Sequence, residues 1–231
     1  MSYITGLSHT PLSELRFSDI WSGSEIYLYP DFISPELVSS TLTQVEADRD
    51  LRYPYTENGV PDLGIWCMGQ NFWTLPNHPE FDEVFDPELR SYMIDTYHDI
   101  NSCIENFCVN YLNRTPQYVP GIATPGFNII TSDIAGTLWH TDGALVRKMP
   151  HIDVNRIISI MIPIQCNAAS HTEFKISDTE TYQATLTPGD ILIWPGKVTH
   201  RIGCETIQAG QARITYQCHI YDDHDRALIY F

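Results

Sequence analysis

The chain has no CxxC pair, no regular cysteine spacing, no His-x-His, no glycine-rich phosphate loop and no apolar run approaching the ~18 residues of a membrane span. Its six cysteines, Cys67, Cys103, Cys108, Cys166, Cys204 and Cys218, therefore suggest neither a zinc ribbon nor a disulfide framework, and they read as reduced thiols. Positive charge is scarce. Thirteen Lys and Arg stand against 29 Asp and Glu, the formal charge is -16, and no basic cluster exceeds Arg147-Lys148. A nucleic-acid partner needs a concentrated positive footprint, so that class is excluded, and the acidity reads as solubility. The first residues, Met1 to Leu7, lack a basic segment followed by an apolar run, so the expectation is a cytoplasmic protein with no membrane partner. Ser/His/Asp and Cys/His nucleophile sets, internal repeats and low-complexity segments are missing as well.

What is present is enough apolar material, 43% of 231 residues, for one large core. Residues 1–24 read as an irregular arm. Glu25 to Pro30 reads as a strand, and Ser34-Pro35 starts a helix whose apolar residues Leu37, Val38, Leu42 and Val45 keep helical spacing to about Asp50. Residues 51–80 mix Tyr53, Tyr55, Trp66, Phe72 and Trp73 with glycines and prolines, as expected of a lid or of a loop pinned to the core by its rings. From Pro87 to about Asn113 the pattern predicts one long helix with Leu89, Met93, Tyr97, Ile100, Ile104 and Phe107 on its apolar face.

After Pro116 the texture changes to β-rich runs separated by turns: Phe127–Thr131, Thr137–Thr141, Arg156–Gln165, Thr172–Ile176, Tyr182–Leu186, Asp190–Trp194 and Ala212–Tyr221. The expected fold is mainly β with flanking helices: a single domain, with helices and the aromatic loop in 1–115 packed on a double-sheet jelly roll, a cupin-like barrel, in 116–231.

Chemistry concentrates where the stretch beginning at Phe127 ends in His140-Thr141-Asp142-Gly143. The i, i+2 spacing puts an imidazole and a carboxylate on one face of an extended chain. Such a pair needs a third ligand from elsewhere, and His200, after the turn Pro195-Gly196, can supply it. Two His and one carboxylate on one side of a metal suit non-haem Fe(II). Thirteen residues further on, Arg213 with Thr215 on the same strand face can hold a carboxylate, whereas Arg201, next to His200, is expected on the opposite face. His-x-Asp is a short motif and occurs twice. The second copy, His151-Ile152-Asp153, reads as a loop histidine, and the acidic tail from His219 to Asp225 reads as a solvated strand end.

The order His-x-Asp, distal His after a "PGD…PG" strand and turn, then Arg-x-Thr resembles the Fe(II)/2-oxoglutarate-dependent dioxygenase superfamily, with its double-stranded β-helix, over about residues 120–221. Trp139-His-Thr-Asp resembles the phytanoyl-CoA-hydroxylase-like branch, and Asp31-Phe-Ile-Ser-Pro-Glu-Leu resembles the strand-to-helix start of prolyl-4-hydroxylase-like members. Those prolyl hydroxylases usually carry Lys where this chain has Arg213, so a prolyl substrate is not carried over. The resemblance implies that His140, Asp142 and His200 hold iron, that Arg213 and Thr215 bind the distal carboxylate of 2-oxoglutarate, and that Asn128 touches the cosubstrate. It implies O2 as co-reactant and a small-molecule or peptide substrate. With Asp142 present, it implies hydroxylation of a C–H bond rather than halogenation. The alternatives are a cupin-type metalloenzyme without 2-oxoglutarate, and a non-catalytic jelly-roll binding module in which the three residues never converge.

Overall fold

The computed structural model describes residues 2–57, 60–69, 86–119, 125–142, 149–167, 170–208 and 210–231, with backbone alone for 53–57 and 60–63. Two short strands, β1 (Gly6–Leu7) and β2 (Glu25–Tyr29), flank helix α1 (Phe17–Ser22), and helix α2 (Pro35–Ala47) follows. A hairpin of β3 (Arg52–Glu57) and β4 (Val60–Met68) precedes α3 (Pro87–Thr96) and α4 (His98–Asn110). The remainder is β5 (Thr115–Tyr118), β6 (Gly126–Ile130), β7 (Ile157–Gln165), β8 (His171–Lys175), β9 (Thr181–Thr185), β10 (Ile191–Pro195), β11 (His200–Ile202), β12 (Arg213–Asp223) and β13 (Arg226–Tyr230).

These strands form the two sheets of a jelly roll. The larger runs β1-β2-β10-β7-β12-β6-β4-β3, with β13 pairing β12 beyond the end of β6 and β5 pairing β13, and the smaller runs β11-β8-β9. Side-chain alternation sorts the large sheet into two faces. Ile214, Tyr216, Cys218 and Ile220 of β12, Ile191 and Ile193 of β10, and Phe127 and Ile129 of β6 join the core shared with α2, α3 and α4. Met161, Leu192 and Trp194 turn the other way, against Phe174 and Ala184 of the small sheet. Helices thus seal one face, and the other is left for the space between the sheets.

The Ser34-Pro35 helix start holds. Ser34 caps α2, accepting from the Leu37 N–H at 3.3 Å, with Pro35 in the first turn. All six cysteines are free, and no helix among the described residues is long and apolar enough to cross a membrane. Elsewhere the structure differs. The expected helix from Pro87 is two, because the chain turns at Tyr97 (φ -99°, ψ 27°) and the buried Asn101 side chain donates to the Met93 and Ile94 carbonyls at 3.3 Å, capping α3. The amino-terminal half also gives strands to the sheet: β2 pairs with β10, and the β3–β4 hairpin, in the segment expected as an aromatic loop, extends it past β6. Trp66 is part of that hairpin, whereas Phe72 and Trp73 lie outside the described residues. Helix α1 occupies the expected irregular arm.

Tyr216 donates to Asn101 Oδ1 at 2.8 Å and thereby ties β12 to the α3–α4 corner in a fully buried setting. Tyr216→Phe leaves that carbonyl without its donor, and the variant is expected to lose about 1–3 kcal/mol in urea unfolding, with a lower midpoint and an unchanged slope.

Candidate functional site

Residues 134–142, expected to include a strand at Thr137–Thr141, are instead laced to the β11 region by isolated bonds. Ile134 bridges Glu205, the Thr137 N–H donates to the Ile202 carbonyl at 3.1 Å, and His140 and His200 exchange both backbone bonds at 3.0 Å. The Asp142 N–H then donates to the Gly196 carbonyl at 2.8 Å. The approach at Gly196 is close, since a Cβ there would lie 2.8 Å from Ile157 Cγ2. Two segments sixty residues apart therefore present their side chains at one point.

The ligand atoms of His140, Asp142 and His200 all lie within 4.8 Å of one another. Each imidazole is oriented from behind. Nδ1 of His140 meets the Leu138 carbonyl at 2.9 Å and Nδ1 of His200 the Val198 carbonyl at 3.0 Å. A nitrogen facing a carbonyl carries a proton, so in the neutral ring the lone pair is left on Nε2. Those Nε2 atoms stand 3.9 Å from Asp142 Oδ1 and 3.4 Å from Asp142 Oδ2, respectively. The carboxylate is itself held, with Ser159 Oγ donating to Oδ2 at 2.5 Å and Trp194 Nε1 at 3.2 Å. Burial alone would raise the Asp142 carboxyl, but the histidines His200, His219 and His140 and the Ser159 hydroxyl bring it down to about 2. Burial lowers His200 to about 4 against the pull of Asp142. An ionised carboxylate beside a neutral imidazole is the protonation state that ligates a divalent cation.

The triad sits in a cavity between the two sheets. Asn128 lines it, donating to Gln217 Oε1 at 2.7 Å and accepting from Cys67 Sγ at 3.0 Å. Arg213 and Thr215 are each 1% exposed and are not among the lining residues; Thr172 and Met161, which Arg213 Nη2 approaches at 3.4 and 3.9 Å, are. Arg213 Nη1 forms an ion pair with Glu205 at 2.7 Å, and Thr215 Oγ1 accepts from Gln217 at 3.5 Å. Arg201, expected to point away, lines the cavity: it pairs with Glu173 at 2.7 Å and lies 4.5 Å over the Trp139 ring. The rival motif stays apart, with His151 exposed in a turn and Asp153 capping the short turn at Val154–Arg156.

Sequence reasoning missed four members of the site: His219, Ser159, Trp194 and Tyr230. His219 is partly buried, its Nδ1 lies 3.0 Å from Ser159 Oγ and 3.9 Å from Asp142 Oδ2, and Tyr230 packs on its ring at 5.2 Å. The signal was available, because His219 has the same strand parity as Arg213, Thr215 and Gln217. The supposedly solvated tail is buried at Asp222 too, where Arg114, Arg156 and Trp21 converge on the carboxylate.

No protein-family model matches the chain, and no curated protein matches it in sequence. Solved structures do match. An oxidoreductase of the 2OG-Fe(II) oxygenase family from Burkholderia pseudomallei superimposes with a TM-score of 0.54 at 13% identity, covering 98% of this chain and 97% of that one. The non-haem alpha-ketoglutarate-dependent epimerase SnoN of nogalamycin biosynthesis gives 0.52 at 9% identity over 85% and 79%. A Trichoplax adhaerens prolyl hydroxylase, in complex with a hypoxia-inducible-factor peptide, gives 0.50 at 10% over 87% and 85%. The chain has the fold of the 2OG–Fe(II) oxygenases. Within that fold, His140, Asp142 and His200 form a candidate iron-binding triad.

Calorimetric titration with Mn(II) is expected to give one site in the unsubstituted protein and in Asp153→Ala, and none in Asp142→Ala. Ser159→Ala, which frees one side of the carboxylate, is expected to weaken that site about tenfold.

Proposed function

We propose that the protein is an Fe(II)- and 2-oxoglutarate-dependent oxygenase that hydroxylates an unactivated C–H bond, with release of succinate and CO2. The observation that carries this reading is the convergence of two imidazole Nε2 atoms and one carboxylate at the base of a cavity in the 2OG–Fe(II) oxygenase fold. Nitrogen and oxygen donors in this two-to-one set fit iron and leave its other positions open. A cupin-type site would call for His-x-His, which the chain lacks.

Bound iron, with 2-oxoglutarate and O2, supplies the oxidation: the oxo acid loses CO2 and keeps one oxygen atom as succinate, and the substrate carbon gains the other. The rest falls to the chain's own residues. His140 and His200, each fixed through Nδ1 to a backbone carbonyl, hold their Nε2 lone pairs toward the Asp142 carboxylate. Ser159 and Trp194 keep that carboxylate from rotating away. Apolar wall residues, Ile65, Ile160 and Met161, exclude water from the reacting end, while Asn128 and Gln217 offer polar contacts that orient a cosubstrate or substrate. The substrate is a small molecule or a peptide side chain able to enter between the sheets.

The test is turnover with Fe(II), 2-oxoglutarate and O2, following succinate and oxygen together. Succinate should appear in step with oxygen uptake, require iron and fall to background in Asp142→Ala. Iron-independent succinate, or full activity in Asp142→Ala, overturns the proposal.

A further inference from the structure

Arg213 is not a free cation. Its Nη1 donates to Glu205 Oε1 at 2.7 Å and to the His171 carbonyl at 3.3 Å, and the two paired side chains are at most 1% exposed. Glu205 is fixed as well: its other oxygen accepts from Ser170 Oγ at 2.8 Å, and its backbone exchanges two bonds with Ile134, on the segment that delivers His140. Toward the cavity Arg213 shows Nη2, behind Thr172 Oγ1 and Met161, and its Nε has no hydrogen-bond partner among the described residues. The inner wall therefore has donors in reserve and no net charge. A carboxylate arriving there would put two anions on one guanidinium, away from water, where the unmatched charge is costly. Arg201 offers no free cation in its place, since Glu173 already pairs with it.

Resting on the iron and 2-oxo-acid reading above, we propose that Glu205, behind the cavity wall at Thr172 and Met161, is a specificity-determining residue: it competes for Arg213 with the distal carboxylate of the cosubstrate. The preference for 2-oxoglutarate over a 2-oxo acid of the same length that lacks this carboxylate is accordingly small. Removing the charge of Glu205 makes it large.

The experiment measures dissociation constants of 2-oxoglutarate and 2-oxovalerate on the full chain loaded with Mn(II), which binds without turnover. In the unsubstituted protein the two constants are expected within about tenfold of each other. In Glu205→Gln, 2-oxoglutarate is expected to bind at least about tenfold tighter and 2-oxovalerate as before, the gain of one charge-assisted pair. Unchanged or weaker 2-oxoglutarate binding in the variant overturns the proposal. So does a preference of more than about a hundredfold for 2-oxoglutarate in the unsubstituted protein, a measurement that stands even if Glu205→Gln fails to fold. If the unsubstituted protein takes up Mn(II) and neither acid, the 2-oxo-acid reading itself fails and this proposal falls with it.

Discussion

Two backbone hydrogen bonds between His140 and His200, each 3.0 Å long, are the constraint on which the site depends. They set two imidazoles from distant segments side by side, with ring centroids 4.4 Å apart, and the next bond along, from the Asp142 N–H to the Gly196 carbonyl, brings in the carboxylate. The same seam continues in the other direction through Thr137 and Ile202 to the Ile134–Glu205 bridge. Placement of the triad and placement of the Glu205 carboxylate on Arg213 are thus consequences of one run of irregular pairing. Because the segment is not a full strand, its side chains are fixed by a few bonds and by what packs behind them, which gives Ser159 and Trp194 their importance.

Strand β12 carries the rest of the arrangement. Its alternate residues Ile214, Tyr216, Cys218 and Ile220 pack under the helices, and the row from Arg213 through Thr215 and Gln217 to His219 is polar toward the sheet interior. Burying such a row requires that every charge find a partner. The chain meets that requirement locally: Glu205 on Arg213, Glu173 on Arg201, and the Ser159 and Trp194 hydrogen bonds on Asp142. Both arginines on this side are thus paired, and the Asp142 carboxylate keeps its charge.

Much of this was legible in the residues. The His-x-Asp, the histidine after Pro195-Gly196 and the β-rich texture after Pro116 led to the triad and to the jelly roll because local spacing and strand periodicity encode them. The Ser34-Pro35 helix start was equally local. What could not be read depends on distant partners. Nothing near Glu205 marks it as the mate of Arg213, since it lies in a loop with no period, and the pairing exists only once the chain has folded back on Ile134. The break at Tyr97 escaped notice because the apolar stripe continues through it, and the β3–β4 hairpin because its prolines and glycines mimic a loop. His219 was hidden by the acidic residues after it, although the parity of β12 assigned it inward.

The central claim is that His140, Asp142 and His200 hold iron in a form that also chelates a 2-oxo acid. Optical spectroscopy under anaerobic conditions tests it most directly. Adding 2-oxoglutarate to the Fe(II)-loaded protein should produce a weak visible metal-to-ligand charge-transfer band that titrates to one equivalent. No such band from a protein that is folded and carries one Fe(II) would contradict the account.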